Sequence, residues 1–458
     1  MKGKSKKGRR ARATENVADV LLGRAERLIE QAAARKMQAE VYLEQGYHLD
    51  AEIEKGAISG MASHGSGGGS WRVVAGGRLG FAYFADDTKA LEALEAAVRL
   101  ARLAPAKRFR FVDPAKPARV PSRWDPELAE ADAALPLKLA KEVLAGAREA
   151  APKASVTGGG VGFGWEAWAV ANTNGVRSAD RLTTTGASAS LVQPEGNRSI
   201  AASESRTSNR LDLDAQDVGA EAGRTIRSLA GPKAAKGGRR DIILRPEATL
   251  ELVAGLAVSA ATGDEALRGK TLWSKSFGKR VAAPGFWLLD DPLDPKAIGA
   301  TAMDDEGTPT RRLPIVADGV LESFLFDAWD AHEHKQTTTA SAVRGGWTSR
   351  PDTGTHHLTL EGPESSLAKL VAGVDEGFLV ESVLGAHTAN ETTGEFSVTA
   401  PNVWRIHGGA VAGPVTEIAI AGSLGKLLES FGGLSKERKR TDGASMPHFL
   451  ARGVDVSV

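Results

Sequence analysis

Apolar residues near the start of the chain recur first with a helical period and then with the period of a strand. Val17, Val20, Leu21, Leu28, Ile29 and Ala32 share one helical face, with Arg24, Arg27 and Glu30 off it, which predicts an amphipathic helix lying on a core. Glu40-Val-Tyr-Leu-Glu44 and Leu49-Asp-Ala-Glu-Ile-Glu54 then alternate apolar with charged positions, so each predicts a strand with one dry face and one wet face. Trp71 to Val74 and Leu79 to Phe84 flank Gly76-Gly77, a pair able to take the positive φ of a tight hairpin.

The same reasoning continues down the chain. Asp87 or Thr88 is placed to cap a helix carrying Leu91, Leu94, Val98 and Ala101, and a second helix is expected from Pro136. A hairpin through Val161 to Val170 turns at Asn172-Thr-Asn-Gly175, with Trp165 and Trp168 read as sheet packing. Glycine and positive charge without periodic apolar residues mark a domain boundary at Gly231 to Arg240. Beyond it come a strand at Asp241 to Leu244 and a helix from Pro246. Strands are then expected at Val320 to Phe326, His356 to Leu360, Phe378 to Leu384, Phe396 to Thr399, Val403 to His407 and Val415 to Ala421, with a last helix near Leu424 to Phe431. The fold class is therefore α+β: a basic tail over 1–13, and an N-terminal α/β two-layer domain of antiparallel sheet and helices over 14–231. A linker at 232–240 leads to a β-rich C-terminal domain over 241–458.

Composition narrows the chemistry. There is no cysteine among 458 residues, which excludes disulfides, thiolate catalysis and cysteine-ligated metals in this chain. With 58 basic and 57 acidic residues, no overall field draws nucleic acid or an anionic membrane. No stretch reaches the ~20 apolar residues of a membrane span, and the N-terminus lacks the apolar core of a secretory signal, so a cytoplasmic location is expected. The opening run Met1 to Arg12 is the one charge anomaly and reads as a solvated tail.

Five phrases in the second half occur in an order that resembles the TldD/PmbA family. They are Asp290-Asp-Pro292, Met303-Asp-Asp-Glu-Gly-Thr-Pro309, Ile315-Val-Ala-Asp-Gly-Val-Leu321, Thr393-Gly-Glu-Phe-Ser397 and Pro414-Val-Thr-Glu-Ile-Ala-Ile-Ala-Gly-Ser-Leu424. Trp71 to Ala82, followed by a capped alanine-rich helix, is similar to the family's N-terminal half. The resemblance implies a heterodimeric zinc metallopeptidase acting on small or unfolded peptides. Its catalytic member carries His-Glu-x-x-x-His on the helix of the second domain and a later cysteine, because histidines one turn apart can share a metal. The corresponding helix here, Pro246 to Ala261, has no histidine, and Thr399 to Trp404 leads to no cysteine. That is the pattern of the TldE/PmbA branch. The implied role is a non-catalytic subunit that closes a chamber and helps bind peptide, with no metal of its own and a zinc-bearing TldD-like partner. Gly394, Glu395, Phe396, Ser397, Pro414 and Val415 are the residues the resemblance places at a peptide or partner contact.

Other candidates compete with this reading. His332 and His334, on one face of an expected strand with Glu333 opposite, offer a two-histidine start to a metal site and the alternative of a self-sufficient hydrolase. Adjacent His356 and His357 point apart on a strand, and Asp304, Asp305 and Glu306 read as a solvated turn. The run Gly65-Ser-Gly-Gly-Gly-Ser70 lacks the lysine ending of a phosphate loop and reads as a flexible hairpin tip. A regulatory or nucleic-acid-associated role, prompted by the basic tail and the family's earlier description as a modulator of DNA gyrase, is the third alternative.

Overall fold

A computed structural model describes residues 16–105 and 109–458, so the basic run at residues 1–12 lies outside the described residues. Helix α1 (Val17–Ala34) starts where the Asn16 side chain accepts a hydrogen bond from the Ala18 amide. It buries Leu21, Ala25, Leu28, Ile29 and Ala32, while Val20, assigned to the same face, is 37% exposed.

Six long antiparallel strands follow: β1 (Gln38–Glu54), β2 (Ala57–Ala75), β3 (Arg78–Phe84), β4 (Ser155–Asn172), β5 (Arg177–Glu195) and β6 (Arg198–Ser208), in spatial order β3-β2-β1-β4-β5-β6. The two alternating segments between residues 40 and 54 are one strand, because the glycine between them, Gly46, pairs within the ladder. Gly65 to Ser70 is likewise no hairpin tip. It runs in mid-strand opposite Tyr47 to Tyr42, and a Cβ at Gly68 would lie 2.6 Å from the Trp347 ring, so close packing is what requires glycine there. The turns at Gly76-Gly77 (φ 60° and 72°) and at Asn172 to Gly175 form as expected, the latter held by Asn172 Oδ1 accepting from Asn174 and Val176 amides.

Helices α2 (Ala90–Ala101), α3 (Ala134–Ala150) and α4 (Ala215–Ser228) join α1 on one face of this sheet. α1 and α2 cover Val41, Leu43, Trp71 and Val73, and α3 and α4 cover Ala51, Ile53, Val161 and Leu191. Asp86, not Asp87 or Thr88, caps the turn leading into α2, since Asp87 instead pairs with Arg24 at 2.6 Å. The opposite face, carrying the even-numbered residues of β1, meets the C-terminal domain.

That domain is β-rich. β7 (Gly238–Leu244) begins inside the stretch read as linker, and a helix over 246–261, called α5, follows it with a π-helical stretch at Thr249–Gly255. β8 (Trp287–Asp290) and β9 (Leu313–Ala317) form one side of a 13-stranded sheet. The expected strand at Val320 to Phe326 shrinks to Val320–Leu321, and Ala410–Val415 and Ile418–Ser423 divide the expected strand at 415 to 421. The strand Ala444–Ser457 pairs with β7, Leu358–Glu361, Ile418–Ser423 and Phe431–Thr441. It is the centre of the sheet, and its Phe449 packs 5.3 Å from the Phe431 ring and 6.2 Å from Phe286.

Candidate functional site

The two domains are joined by buried charge. Arg72 of β2 donates to both oxygens of Glu40 at 2.9 and 2.7 Å and to Glu306 at 2.6 Å, and Arg344 reaches Glu40 at 2.6 Å. All four lie in near-complete burial, so each carboxylate needs its guanidinium. Arg344 also lies 4.5 Å over the Tyr42 ring, and Arg72 sits 5.5 Å from Phe109 and from Phe111. The phrase at 303–309 is therefore no solvated turn. Glu306 is fully buried and accepts from the Ala328 amide at 2.7 Å, while Asp304 accepts from the Glu306 and Thr308 amides. Burial, with Glu306 beside it, holds the Asp304 carboxyl well above the usual range and pushes Asp327 up to about 8. Asp290 of the first family phrase is also buried, accepting from the His356 and His357 amides.

At the N-terminal end of α5 a second charged group forms. Lys439 contacts Glu247 and lies 3.0 Å from Glu204 of β6. Arg245, immediately before α5, pairs with Glu381. Burial raises Glu381 to about 7 against the opposing pull of Arg245, and raises Glu204 and Glu251 as well. Burial alone would lower Lys439, but Glu247 and Glu204 hold its ammonium above the ordinary value. The resemblance puts a metal-bearing motif on this helix. The donors present, carboxylates already bound to a lysine and an arginine, do not fit a zinc ion held by imidazoles and a thiolate.

Between the open face of the N-terminal sheet and the C-terminal domain lies a cleft of about 610 Å³. His48, Asp50, Glu52 and Glu166 stand on its floor, with Arg206 and Thr207 at one side, where Asp442, in the turn between Phe431–Thr441 and Ala444–Ser457, is hydrogen-bonded to Thr207. His48 is 3.1 Å from Glu166, a hydrogen bond that raises the imidazole above its usual value. Burial, then Glu166, raises Asp442. Sequence reasoning missed this cleft. The glycines Gly158, Gly160, Gly162 and Gly164, repeating every second residue, were the available signal, because they leave one face of β4 without side chains.

The predicted site residues scatter. His332 and His334 are not on one face of a strand: Ala328–Glu333 is a short helix, and His334 follows it as the cap. His332 lines a shallow hollow with Arg110 and Gln336. His334 Nε2 lies 2.7 Å from Asp264, and Arg268 spans Asp264 and Glu333 at 2.8 Å each. Asp264, Glu333 and His334 are close enough to share an ion, but that arginine occupies the space between the carboxylates. Gly394 has φ 71° and a Cβ there would lie 2.7 Å from Leu272. Phe396 and Val415 are core residues, whereas Glu395 and Ser397 face solvent and Pro414 is half-buried. The Trp165 ring lies 6.4 Å from that of Trp124 at a tilt of 56°, and Arg123 lies over Trp168, in line with a packing role.

An α+β protein whose helix-backed antiparallel sheet meets a β-rich second half through a buried ion network, with an open cleft beside it, is what the fold defines. Sequence profiles of the PmbA/TldA metallopeptidase match in three consecutive pieces: domain 1 over 39–104, the central domain over 125–230 and the C-terminal domain over 237–458. The chain belongs to the PmbA/TldD family. It is 24% identical over 408 residues to an uncharacterised protein of Methanocaldococcus jannaschii, covering 88% of this chain and 93% of that one. Metalloprotease PmbA of Escherichia coli is 27% identical over 207 residues, 45% of this chain and 43% of its own length. The crystal structure of TldE from Thermococcus kodakarensis superposes with a TM-score of 0.87 at 25% identity, covering 94% of this chain and 99% of that one. Among the described residues no helix is long and apolar enough to cross a membrane.

Proposed function

We propose that this chain is the non-catalytic, TldE/PmbA-like subunit of a heterodimeric zinc metallopeptidase, closing a peptide chamber over a TldD-like homologue that carries the zinc. The observation behind this reading is the cluster at the start of α5, where Lys439 sits between Glu204 and Glu247. A cationic side chain there repels a second cation and occupies the carboxylates that a metal would need. The likeness to TldE over nearly the whole chain supports the same assignment.

In this reading peptide hydrolysis belongs to the partner's metal, and this chain contributes walls. Small or unfolded peptides are the substrates, since a chamber between subunits excludes folded domains. Elemental analysis of the chain purified alone, without chelators, tests the assignment. The expected content is well under one zinc per monomer. A stoichiometric, tightly held metal would overturn it.

A further inference from the structure

The open half of the N-terminal sheet face has an organisation that the subunit role does not require. Three rows of paired residues cross it. Glu52, Gly160, Ser188 and Ser205 form one row, and Asp50, Gly162, Gly186 and Thr207 the next. His48, Gly164 and Thr184 form the third. Residues directly opposite on neighbouring strands share a face, so the floor is a stripe of charge on β1 beside a trough lined by glycine, serine and threonine.

The glycines leave room for the side chains of β1, and at Gly164 the Tyr47 carbonyl oxygen, 2.2 Å from where a Cβ would stand, requires glycine outright. A Cβ at Gly162 would stand 2.4 Å from Asp50 Oδ1, and one at Gly164 would stand 2.6 Å from His48 Nδ1. Side chains of β1 therefore lie low along the floor, and the space above them stays open. At about 610 Å³ that space is within the ~300–1,000 Å³ of ordinary ligand sites.

Charge selects the occupant. Asp50, Glu52, Glu166 and Asp442 line the cleft, and no lysine does. Arg206 is turned to Asp217 at 2.7 Å, and His48 is engaged with Glu166. Asp50 has exposed His64 at 3.8 Å and Asp442 has the Thr207 hydroxyl, so among the described residues no lysine or arginine pairs with Asp50, Glu52 or Asp442. The backbone of β4 is used on both edges, by β1 and by β5, so no strand can add to it over the glycine trough, and the edge of this sheet lies at β6. An occupant is held by its side chains, through pairs that salt screens.

We propose that this groove binds an extended peptide segment bearing lysine or arginine side chains, laid across the glycine trough with its cations on Asp50, Glu52 and Asp442. Within the subunit reading that segment belongs to the substrate. The binding itself needs only this chain, so a failed pairing experiment leaves it standing, and a failed binding experiment leaves the pairing claim standing.

Fluorescence anisotropy of the purified full chain tests the proposal, with a labelled unstructured Lys/Ser peptide and a Glu/Ser peptide of equal length as probes. The Lys/Ser peptide is expected to bind, to weaken roughly tenfold between low and high salt, and to weaken about tenfold in E52Q/D442N. Ser188→Lys, which places a cation in the trough without removing a buried group, is expected to have a like effect. Glu92→Gln, on the far surface of α2, is expected to leave binding unchanged. Equal affinity for the Glu/Ser peptide, no binding of the Lys/Ser peptide, or binding that neither E52Q/D442N nor S188K alters would overturn the assignment.

Discussion

Arg72 and Glu306 stand 234 residues apart in the chain and 2.6 Å apart in space, one in the N-terminal sheet and the other in a family phrase of the C-terminal domain. With Glu40 on its other side, Arg72 is held well above its ordinary value by the two carboxylates, in spite of its burial. The docking of the two domains thus rests on a charge triad that only the folded pair of domains completes.

Arg72→Met removes the cation and leaves Glu40 and Glu306 buried, with only Arg344 still on Glu40. Breaking a buried pair in this way costs about 3–5 kcal/mol. Urea unfolding of the variant is expected to show that loss, and protease cleavage between the domains is expected to speed up. A cost under about 1 kcal/mol would mean that the triad does not hold the domains together.

Lys439 has a comparable place in the second cluster. Lys439→Met leaves Glu204, Glu247 and Glu251 facing one another, which is tolerated only if they take up protons. Its cost is about 2 kcal/mol, reduced from the buried-pair figure because Glu247 is 35% exposed. The raised carboxyl groups of the variant ionise as pH rises, so the destabilisation is expected to be larger at pH 8 than at pH 5 in matched thermal melts. A pH-independent cost would contradict the assignment of Lys439 as the counter-charge.

His448 gives the opposite slope. Burial, then the Arg245 charge, holds its imidazole down to about 4, and its Nδ1 lies 2.9 Å from Ser435 Oγ. Because the folded value lies below the unfolded one near 6.5, the unfolded chain takes up the proton first. The contribution is complete above about pH 6.5 and is lost as pH falls towards 4, by about 3 kcal/mol. His448→Gln is expected to flatten that part of the stability curve. An unchanged slope between pH 6.5 and 4 would show that another group governs it.

How far the sequence carried the fold is visible in particular residues. Period-two alternation located β1, and Gly76-Gly77 and Asn172 to Gly175 located their turns, because those signals are local. The central strand Ala444–Ser457 was missed: its neighbour Phe431–Thr441 carries Lys436, Glu437, Arg438, Lys439 and Arg440 in a row, and the charge masked a strand whose turn is an ordinary Asp442-Gly443. Asp304 to Glu306 looked like solvent-facing turn chemistry since the arginines that neutralise Glu306 and its neighbours lie on distant elements. His332 and His334 were misplaced because six residues at 328–333 form a helix that Asp327 caps through the Asp330 amide. The cleft depends on side-by-side strand register, which no single segment reveals.

The subunit claim is tested most directly by co-expressing this chain with a homologue that carries His-Glu-x-x-x-His. The expected result is a stable one-to-one pair containing zinc and cleaving unfolded peptides, with each chain inactive alone and the pair silenced by a chelator. If the isolated chain cleaves such peptides as fast as the pair, and a chelator leaves that rate unchanged, the account of a non-catalytic subunit is contradicted.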